Sequence, residues 1–205
     1  FGGNYYRTGY SATSETDWRA WLLRSTDAGQ TFAVYSKIAQ GLGLQLGETD
    51  IVIAANGDWV AMIREESQPG VERIYTCTST DAGVTWGAAT LTAMTGVQPN
   101  LLKLANDDIL FLTGDRAGFT GIYPSGALNL INADVTGVRA YLSQDDGATW
   151  TGGAQIGHIY STDGGQPVAV ETDSGTVISL SYVRMGIDQE PGIHCTEFQP
   201  EGLAA

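Results

Sequence analysis

The 205-residue chain is 42% hydrophobic and 16% charged, a composition typical of a folded globular protein rather than a disordered one. Its formal net charge of −13 disfavours nucleic acid and anionic lipid as partners, because both carry negative charge themselves. No stretch approaches the roughly 20 consecutive apolar residues of a membrane-spanning helix.

An octapeptide that occurs three times is the first feature met along the chain. Residues 25–32 read STDAGQTF, residues 79–86 read STDAGVTW and residues 143–150 read SQDDGATW, so the consensus is S-x-D-x-G-x-T-[WF]. This pattern is typical of a tight turn. The aspartate accepts backbone N–H groups that the turn leaves unpaired, the glycine adopts a positive φ, and the aromatic ring packs inward. We therefore expect Asp27, Asp81 and Asp145 to be structural rather than catalytic.

Short segments rich in β-branched and apolar residues flank each octapeptide, and no segment has a helical period. The predicted strands of four successive units are 18–25 and 32–38; 50–55, 59–65, 73–79 and 88–93; 100–105, 108–113, 138–143 and 153–159; 167–171, 176–183 and 192–198. Four-stranded units at this spacing predict an all-β propeller of antiparallel blades. The expected blades are roughly 1–40, 48–95, 98–159 and 165–200, within a single domain or fragment spanning 1–205. A β-sandwich, the alternative, does not explain an octapeptide at a fixed place in each unit.

The octapeptide resembles the Asp box, or BNR repeat, of the sialidase superfamily. Residues 47–198 are similar to bacterial sialidase-like domains, with the pattern G-E-x-D…N-G…R followed by G-D-R…R-A-Y-x-S-x-D-x-G-x-T-W, whereas residues 1–46 match only at the octapeptide. The resemblance implies a six-bladed parent, of which about four blades are present here, and an extracellular or cell-surface location. We expect either the C-terminal two thirds of such a propeller or a smaller propeller closed by its N-terminal strand. The abrupt start at Phe1 favours the fragment.

Propeller topology predicts two faces of different character. The octapeptide turns share one face with the short Asn-, Asp- and Gly-rich turns between first and second strands. The remaining connections open on the opposite face, here called the loop face, and loops gathered on one face of a rigid scaffold commonly carry function. These connections are residues 39–49, 66–72, 94–98, 114–137, 160–166 and 184–191.

Arginine is scarce in this chain, yet Arg64, Arg116, Arg139 and Arg184 all fall at loop-face ends of predicted strands. Guanidinium groups bind carboxylates bidentately, so this pattern favours a carboxylate-bearing ligand. This pattern resembles that of sialidases, which hold the carboxylate of sialic acid with three arginines. We therefore expect Arg64, Arg116 and Arg139 to bind substrate.

Local ion pairing is the alternative explanation of these arginines. It pairs Arg64 with Glu65 or Glu48, and Arg116 with Asp115. The sequence does not decide between this and ligand binding.

The resemblance also implies a tyrosine nucleophile paired with a glutamate, and an aspartate as acid and base. The expected catalytic residues are Asp115, Glu48 and Tyr160, and Asp50 and Asp163 are expected to contact sugar hydroxyls. Tyr123 and Tyr182 are further candidates for the tyrosine, although Tyr182 lies in a predicted strand. Turn capping or pairing with arginine is the alternative for each carboxylate. The family's F-R-I-P-like motif of the first blade is absent from this sequence.

No cofactor or metal is expected. His158 and His194 do not form a metal-binding set, and no nucleotide-binding or zinc motif occurs. Cys77 and Cys195 fall in different predicted blades, which disfavours a disulfide between them.

Two functions remain open from the sequence. The first is a sialidase-like glycoside hydrolase acting on terminal, acidic sugars of glycans. The second is a non-catalytic propeller that serves glycan binding, adhesion or structural assembly. The expected partner is a glycan in both cases, with the remaining blades or a larger assembly as a further partner.

Overall fold

The computed structural model describes residues 3–14, 17–40, 43–67, 72–116, 137–158, 164–183 and 192–203. Within these ranges the chain is almost entirely β-structure, with one short 3-10 helix at Pro200–Leu203. The strands are β1 (Tyr5–Ser14), β2 (Asp17–Ser25), β3 (Ala33–Gln40), β4 (Leu46–Ile53), β5 (Trp59–Glu65), β6 (Arg73–Ser79), β7 (Thr90–Leu91), β8 (Val97–Lys103), β9 (Ile109–Asp115), β10 (Gly137–Ser143), β11 (Thr151–His158), β12 (Gly165–Glu171), β13 (Val177–Val183) and β14 (Gly192–Phe198). No helix in the described part of the chain is long and apolar enough to cross a membrane.

The strands form four antiparallel sheets in chain order, each built from consecutive strands. The sheets are β1-β2-β3, β4-β5-β6-β7, β8-β9-β10-β11 and β12-β13-β14. This arrangement confirms the predicted all-β, propeller-type fold. The octapeptides follow β2, β6 and β10, so these three strands occupy equivalent positions in their sheets. In the two four-stranded sheets the octapeptide follows the third strand, so β2 also counts as a third strand. The described strands of the first sheet are then the second, third and fourth of a blade. Those of the last sheet are the first, second and third.

The first strands of the second, third and fourth sheets lie side by side. β4 contacts β8, β8 contacts β12, and β1 lies against β4. The second strands β5 and β9 are sandwiched between neighbouring sheets, which is why their sequences WVAMIRE and ILFLTGD are nearly continuous apolar runs rather than alternating ones. Trp59 and Phe111, for example, are completely buried in these two strands. Separate apolar clusters fill the spaces between the first and second, second and third, and third and fourth sheets.

The three octapeptide turns have the same hydrogen bonds. In each turn one aspartate oxygen accepts the threonine N–H at 2.8–2.9 Å, and the other accepts the threonine hydroxyl at 2.6 Å. The serine hydroxyl donates to the aspartate and accepts the glycine N–H. These hydrogen bonds stabilise the ionised carboxylate. They therefore lower the pKa of Asp27 and Asp81 to about 2, and they also lower the pKa of Asp145.

Carboxylates also join the third sheet to the second and the fourth sheet to the third. Asp146, in the third octapeptide, accepts the backbone N–H groups of Ala55 and Asn56 at 2.9 and 3.3 Å. Glu171, at the end of β12, accepts the N–H of Ala105 at 2.6 Å. Ala55 and Ala105 occupy equivalent turns of the second and third sheets, so each turn is completed by a side chain of the following sheet.

The structure differs from the predicted strands at the loop-face starts of β4, β8 and β12, which we call the inner strands. The predictions began at residues 50, 100 and 167, whereas β4, β8 and β12 begin at Leu46, Val97 and Gly165. Each of these strands contains a register shift just after its start. Glycine and proline at the shifts resemble loop sequence, although proline is tolerated at bulges. The predicted strand 88–93 is reduced to Thr90–Leu91, and β1 is not among the predicted strands.

Candidate functional site

Charged side chains from several elements meet at the loop face of the second and third sheets. In an antiparallel sheet the first strand begins, the second ends and the third begins at the same edge. The edge therefore collects side chains that are distant in sequence. We call this set the loop-face cluster; its members are Glu48, Arg64, Glu66, Glu72, Asp115, Arg116 and Arg139.

Arg64 near the end of β5 pairs with carboxylates of its own sheet. Its Nη1 lies 3.0 Å from Glu48 Oε2 and 3.8 Å from Glu66 Oε2. Glu48 Oε2 also accepts the backbone N–H of Gln98 at 3.0 Å, which connects the pair to β8. The Arg64 side chain is 19% exposed and that of Glu48 24%. The Arg64–Glu48 pair considered in the sequence analysis is present, and a ligand carboxylate at Arg64 must compete with Glu48.

Glu66 lies against the backbone of β4. Its carboxylate accepts the N–H of Glu48, and burial is the main cause that raises its pKa. A side chain at Gly47 would place its Cβ 2.3 Å from Glu66 Oε1. Glycine at position 47 therefore makes room for the Glu66 carboxylate beside Arg64.

Asp115 and Arg139 form the most buried ion pair of the cluster. Arg139 Nε donates to Asp115 Oδ2 at 2.5 Å, and Arg139 Nη1 donates to the carbonyl oxygen of Gly153 at 3.0 Å. The side chain of Asp115 is only 6% exposed. The structure thus pairs the predicted catalytic aspartate with Arg139, where the sequence analysis had considered Arg116.

Arg116 reaches from the end of β9 to the fourth sheet. Its Nε donates to the carbonyl oxygen of Gly164 at 2.9 Å, and its Nη2 donates to the same oxygen. Gly164 directly precedes β12. Arg116 therefore bridges two neighbouring sheets at the loop face.

Glu72 is a member of this cluster that sequence reasoning missed. It directly precedes β6, and its carboxylate accepts the backbone N–H of Arg116. Its Oε2 is buried and has no hydrogen-bond partner among the described residues. Burial raises the pKa of Glu72 to about 7, although Arg116 and Arg64 act in the opposite direction. A buried carboxyl group with a pKa near neutral thus lies within electrostatic reach of two arginines.

Asp50, also on β4, bonds to the neighbouring strand β8. Its Oδ2 accepts the backbone N–H of Leu101 at 2.8 Å and the side-chain amide of Asn100 at 3.2 Å. Asn100 in turn accepts the N–H of Ala169 at 3.1 Å. The two side chains join β4 to β8 and β8 to β12, and burial raises the pKa of Asp50. Sugar binding by Asp50 stays a prediction.

Several predicted site residues lie outside the described residues; these are Tyr160, Asp163, Tyr123 and Arg184. Tyr182 lies in β13 and is half-buried.

His194 lies in β14, with its Nδ1 3.2 Å from the hydroxyl of Thr196. Cys77 and Cys195 are both free, the first buried and the second exposed. Among the described residues, no group of three His, Cys, Asp or Glu is arranged to hold a metal ion.

Comparison with known proteins finds similarity in structure alone. No protein-family model and no curated protein matches the sequence. A solved protein of unknown function from Dyadobacter fermentans is 21% identical with a TM-score of 0.71, over 95% of this chain and 49% of that one. An alpha-L-arabinanase of Penicillium chrysogenum, complexed with arabinobiose, is 15% identical with a TM-score of 0.61, over 97% and 64%. A Hadza microbial sialidase is 13% identical with a TM-score of 0.61, over 95% and 42%.

These likenesses concern the fold, because every identity is below 25%. The chain spans 42–64% of the length of these three structures. Two of the three are named as glycoside hydrolases of different specificity, so the chain has a glycosidase-like propeller fold.

Proposed function

We propose that this protein is a sialidase-like glycoside hydrolase that acts on terminal, acidic sugars of glycans, with the loop-face cluster as part of its active centre. The observation that carries the proposal is Glu72, a buried carboxyl group whose pKa is about 7 even though the charges of Arg64 and Arg116 lower it. Glycoside hydrolysis needs a carboxylic acid that is still protonated near neutral pH, and burial is the usual way to obtain one.

In this proposal Glu72 is the general acid. Its proton passes to the glycosidic oxygen as the bond between that oxygen and the anomeric carbon breaks, and the leaving group departs as an alcohol. A water molecule then bonds to the anomeric carbon and gives up a proton to the Glu72 carboxylate, so that the sugar leaves with a new hydroxyl group and the acid is restored. Asp115, oriented by Arg139, is the second carboxylate and stabilises the positive charge that develops on the sugar ring. Glu48 and Tyr160 remain the other catalytic candidates of the sequence analysis.

The acidic specificity rests on the arginines of the cluster. Arg64 is partly exposed and is paired with a carboxylate that belongs to the protein itself. A sugar carboxylate of the same geometry can replace Glu48 as its partner, because a guanidinium binds either bidentately. An extracellular or cell-surface location, where such glycans occur, belongs to the same proposal.

The replacement Glu72→Gln tests the general acid. In the intact protein we expect kcat for a fluorogenic sialoside to fall roughly 10²–10⁴-fold, the usual contribution of a positioned proton donor. Because Glu72 must be protonated to act, kcat/KM of the unmodified protein should decline above about pH 7, and this decline should be absent from the residual activity of the variant. Glu197→Gln, at an exposed position in β14, is the matched control. Unchanged turnover in Glu72→Gln would remove Glu72 from the reaction.

The replacement Arg116→Ala tests the acidic specificity. Loss of a charged hydrogen bond to the sugar carboxylate is worth about 1.5–3 kcal/mol, so kcat/KM for the sialoside should fall about 10- to 100-fold. Hydrolysis of a neutral aryl glycoside should change little. Equal losses for both substrates would show that Arg116 acts on the fold through its bond to Gly164 instead.

A non-catalytic, glycan-binding propeller is the second candidate. The internal pairs Arg64–Glu48 and Arg139–Asp115 favour it, because they satisfy two of the arginines without a ligand. Incubation with a glycan array separates the two functions. Binding without any released sugar would support the second candidate and reject the first.

A further inference from the structure

A second short repeat lies at the loop-face starts of two neighbouring inner strands. Residues 96–99 read GVQP at the start of β8, and residues 164–167 read GGQP at the start of β12. Both strands have a register shift within the repeat, at its glutamine and proline. Gln98 and Gln166 therefore occupy equivalent positions, one in each sheet.

Both glutamines have an unfavourable backbone conformation. Gln98 and Gln166 each have a φ of 51°, in the left-handed region that residues with a Cβ seldom adopt. Glycine would adopt it at lower cost. Strain of this kind at two equivalent positions is a reason to look for a role of the side chains, because strained residues cluster where ligands bind.

The two glutamines line one open pocket between the first strands of the second, third and fourth sheets. The pocket has a volume of about 310 Å³, the lower end of the range for small-molecule sites, which suits a single sugar ring. Among its described lining residues are Gln98, Pro99, Asn100, Gln166, Pro167 and Val168. Asp50 is the only ionisable residue in this lining, and its carboxylate already accepts two hydrogen bonds from β8.

The lining combines amide groups with aliphatic surface. Carboxamides both donate and accept hydrogen bonds, as sugar hydroxyls do, and proline and valine offer flat apolar surface to the C–H groups of a ring. Gln98 Oε1 is buried without a hydrogen-bond partner among the described residues. The described lining contains no cation, and its single acidic residue disfavours an anionic ring.

We propose that this pocket is a binding site for a neutral sugar ring, with Gln98 and Gln166 as the residues that recognise its hydroxyl groups. The pocket lies beside the loop-face cluster, because the backbone N–H of Gln98 donates to Glu48. It is nevertheless a separate site. Binding there requires neither turnover nor an acidic sugar, so the inference stands independently of the proposed hydrolase.

The test measures binding rather than activity. The intact protein is titrated with the methyl glycosides of galactose, glucose, xylose and arabinose, and with the methyl glycoside of sialic acid, by ligand-observed NMR. Gln98→Gly and Gln166→Gly remove the carboxamides and relieve the left-handed backbone. Gln166→Asn, a residue that tolerates this conformation better than most, shortens the amide instead. Gln30→Gly, in an exposed octapeptide turn on the opposite face, is the matched control.

We expect at least one neutral glycoside to bind, and Gln98→Gly or Gln166→Gly to weaken it roughly tenfold or more, as when a polar partner is lost in a pocket. The melting temperature of these variants should be unchanged or higher, so that binding and stability move in opposite directions. Gln30→Gly should bind as the unmodified protein does. The proposal is overturned if no neutral glycoside binds, if only the sialoside binds, or if the glutamine variants bind normally. A lost sialoside turnover in Glu72→Gln would leave each of these outcomes unaffected.

Discussion

Carboxyl groups in this chain have pKa values displaced in opposite directions by two different causes. Asp27 and Asp81 lie in exposed turns, where hydrogen bonds to the ionised form lower the pKa to about 2. Glu72 and Asp50 are removed from water, and burial raises their pKa values. The first pair therefore favours folding when ionised, whereas ionisation of the second pair is a cost to the folded state.

Asp81→Asn should weaken the acid dependence of stability. The folded-state pKa of Asp81 is about 2, below its usual value of 3.8, so its contribution is fully present above about pH 4 and is lost as the pH falls towards 2. The variant should be less stable than the unmodified protein at pH 6, and the difference should shrink at pH 2–3. Thermal unfolding followed by circular dichroism from pH 2 to 6 measures this, with Asp173→Asn in an exposed turn as the control. A stability difference that is constant across this range would contradict the assignment.

At the scale of elements, the second and third octapeptide turns each pack against the sheet that precedes them. Gly83 of the second octapeptide lies against Leu22 and Trp59, and its carbonyl oxygen accepts the hydroxyl of Ser36 in the first sheet. Gly147 of the third octapeptide lies against Val60 in the second sheet. The turns are thus interfaces between sheets as well as connections within them.

Two glycines at the same position of the octapeptide separate backbone strain from packing. Gly29 and Gly83 both have positive φ, at 86° and 76°. A Cβ at Gly29 has no described atom within 4 Å, whereas a Cβ at Gly83 would lie 2.7 Å from Leu22 Cδ2. Gly29→Ala should cost about 1–2 kcal/mol of backbone strain, and Gly83→Ala about 1–3 kcal/mol more for the clash. Urea unfolding measures both values, and equal values would show that the turn does not pack tightly on the first sheet.

The sequence predicted most elements because the strands carry their own signals. Alternating or continuous apolar runs ended by Asn, Asp and Gly placed β5, β6, β9 and β10 nearly at their observed bounds. The starts of β4, β8 and β12 were missed because a bulge containing Gly or Pro resembles a loop until its partner strand is known. The rest of each inner strand was found.

The membership of the loop-face cluster was predicted in part, and for a similar reason. Because propeller topology places strand ends on one face, the sequence places five of its members there, namely Glu48, Arg64, Asp115, Arg116 and Arg139. Their roles in substrate binding and catalysis stay predictions. Glu72 was missed because its raised pKa depends on burial and on the backbone of Arg116 in the next sheet, which no local pattern reveals. The pairing of Asp115 with Arg139 likewise depends on the register between β9 and β10, which places Arg139 opposite Thr113.

At the scale of the whole molecule, the fourth sheet carries apolar side chains on its exposed face. Val168 lies opposite Leu180, Leu180 lies opposite Cys195, and Tyr182 lies opposite Ile193. Directly opposed residues of antiparallel strands share a face, so these side chains form one surface. Ile193 is 70% exposed and Leu180 41%. Contiguous exposed apolar surface of this kind commonly marks an interaction site or causes association.

Ile193→Lys should reduce self-association of this protein at high concentration, because a charge at the most exposed position interrupts the apolar surface. We expect the weight-average mass measured by sedimentation or light scattering to rise less steeply with concentration than in the unmodified protein. Val84→Lys, at a 53% exposed position in an octapeptide turn, provides the comparison. Equal effects of the two replacements would attribute the change to net charge rather than to the face of the fourth sheet.

The bonds from Asp146 to Ala55 and Asn56 have a consequence for how the chain is made. Asp146 is 91 residues beyond Ala55, and Glu171 is 66 residues beyond Ala105. A growing polypeptide leaves the ribosome from its N-terminus, so each of these amides remains bonded to water until a later segment has been translated. The hydrogen bonds of such a turn form only after the following sheet has been synthesised. Folding of each of these sheets must therefore lag behind translation by about one repeat.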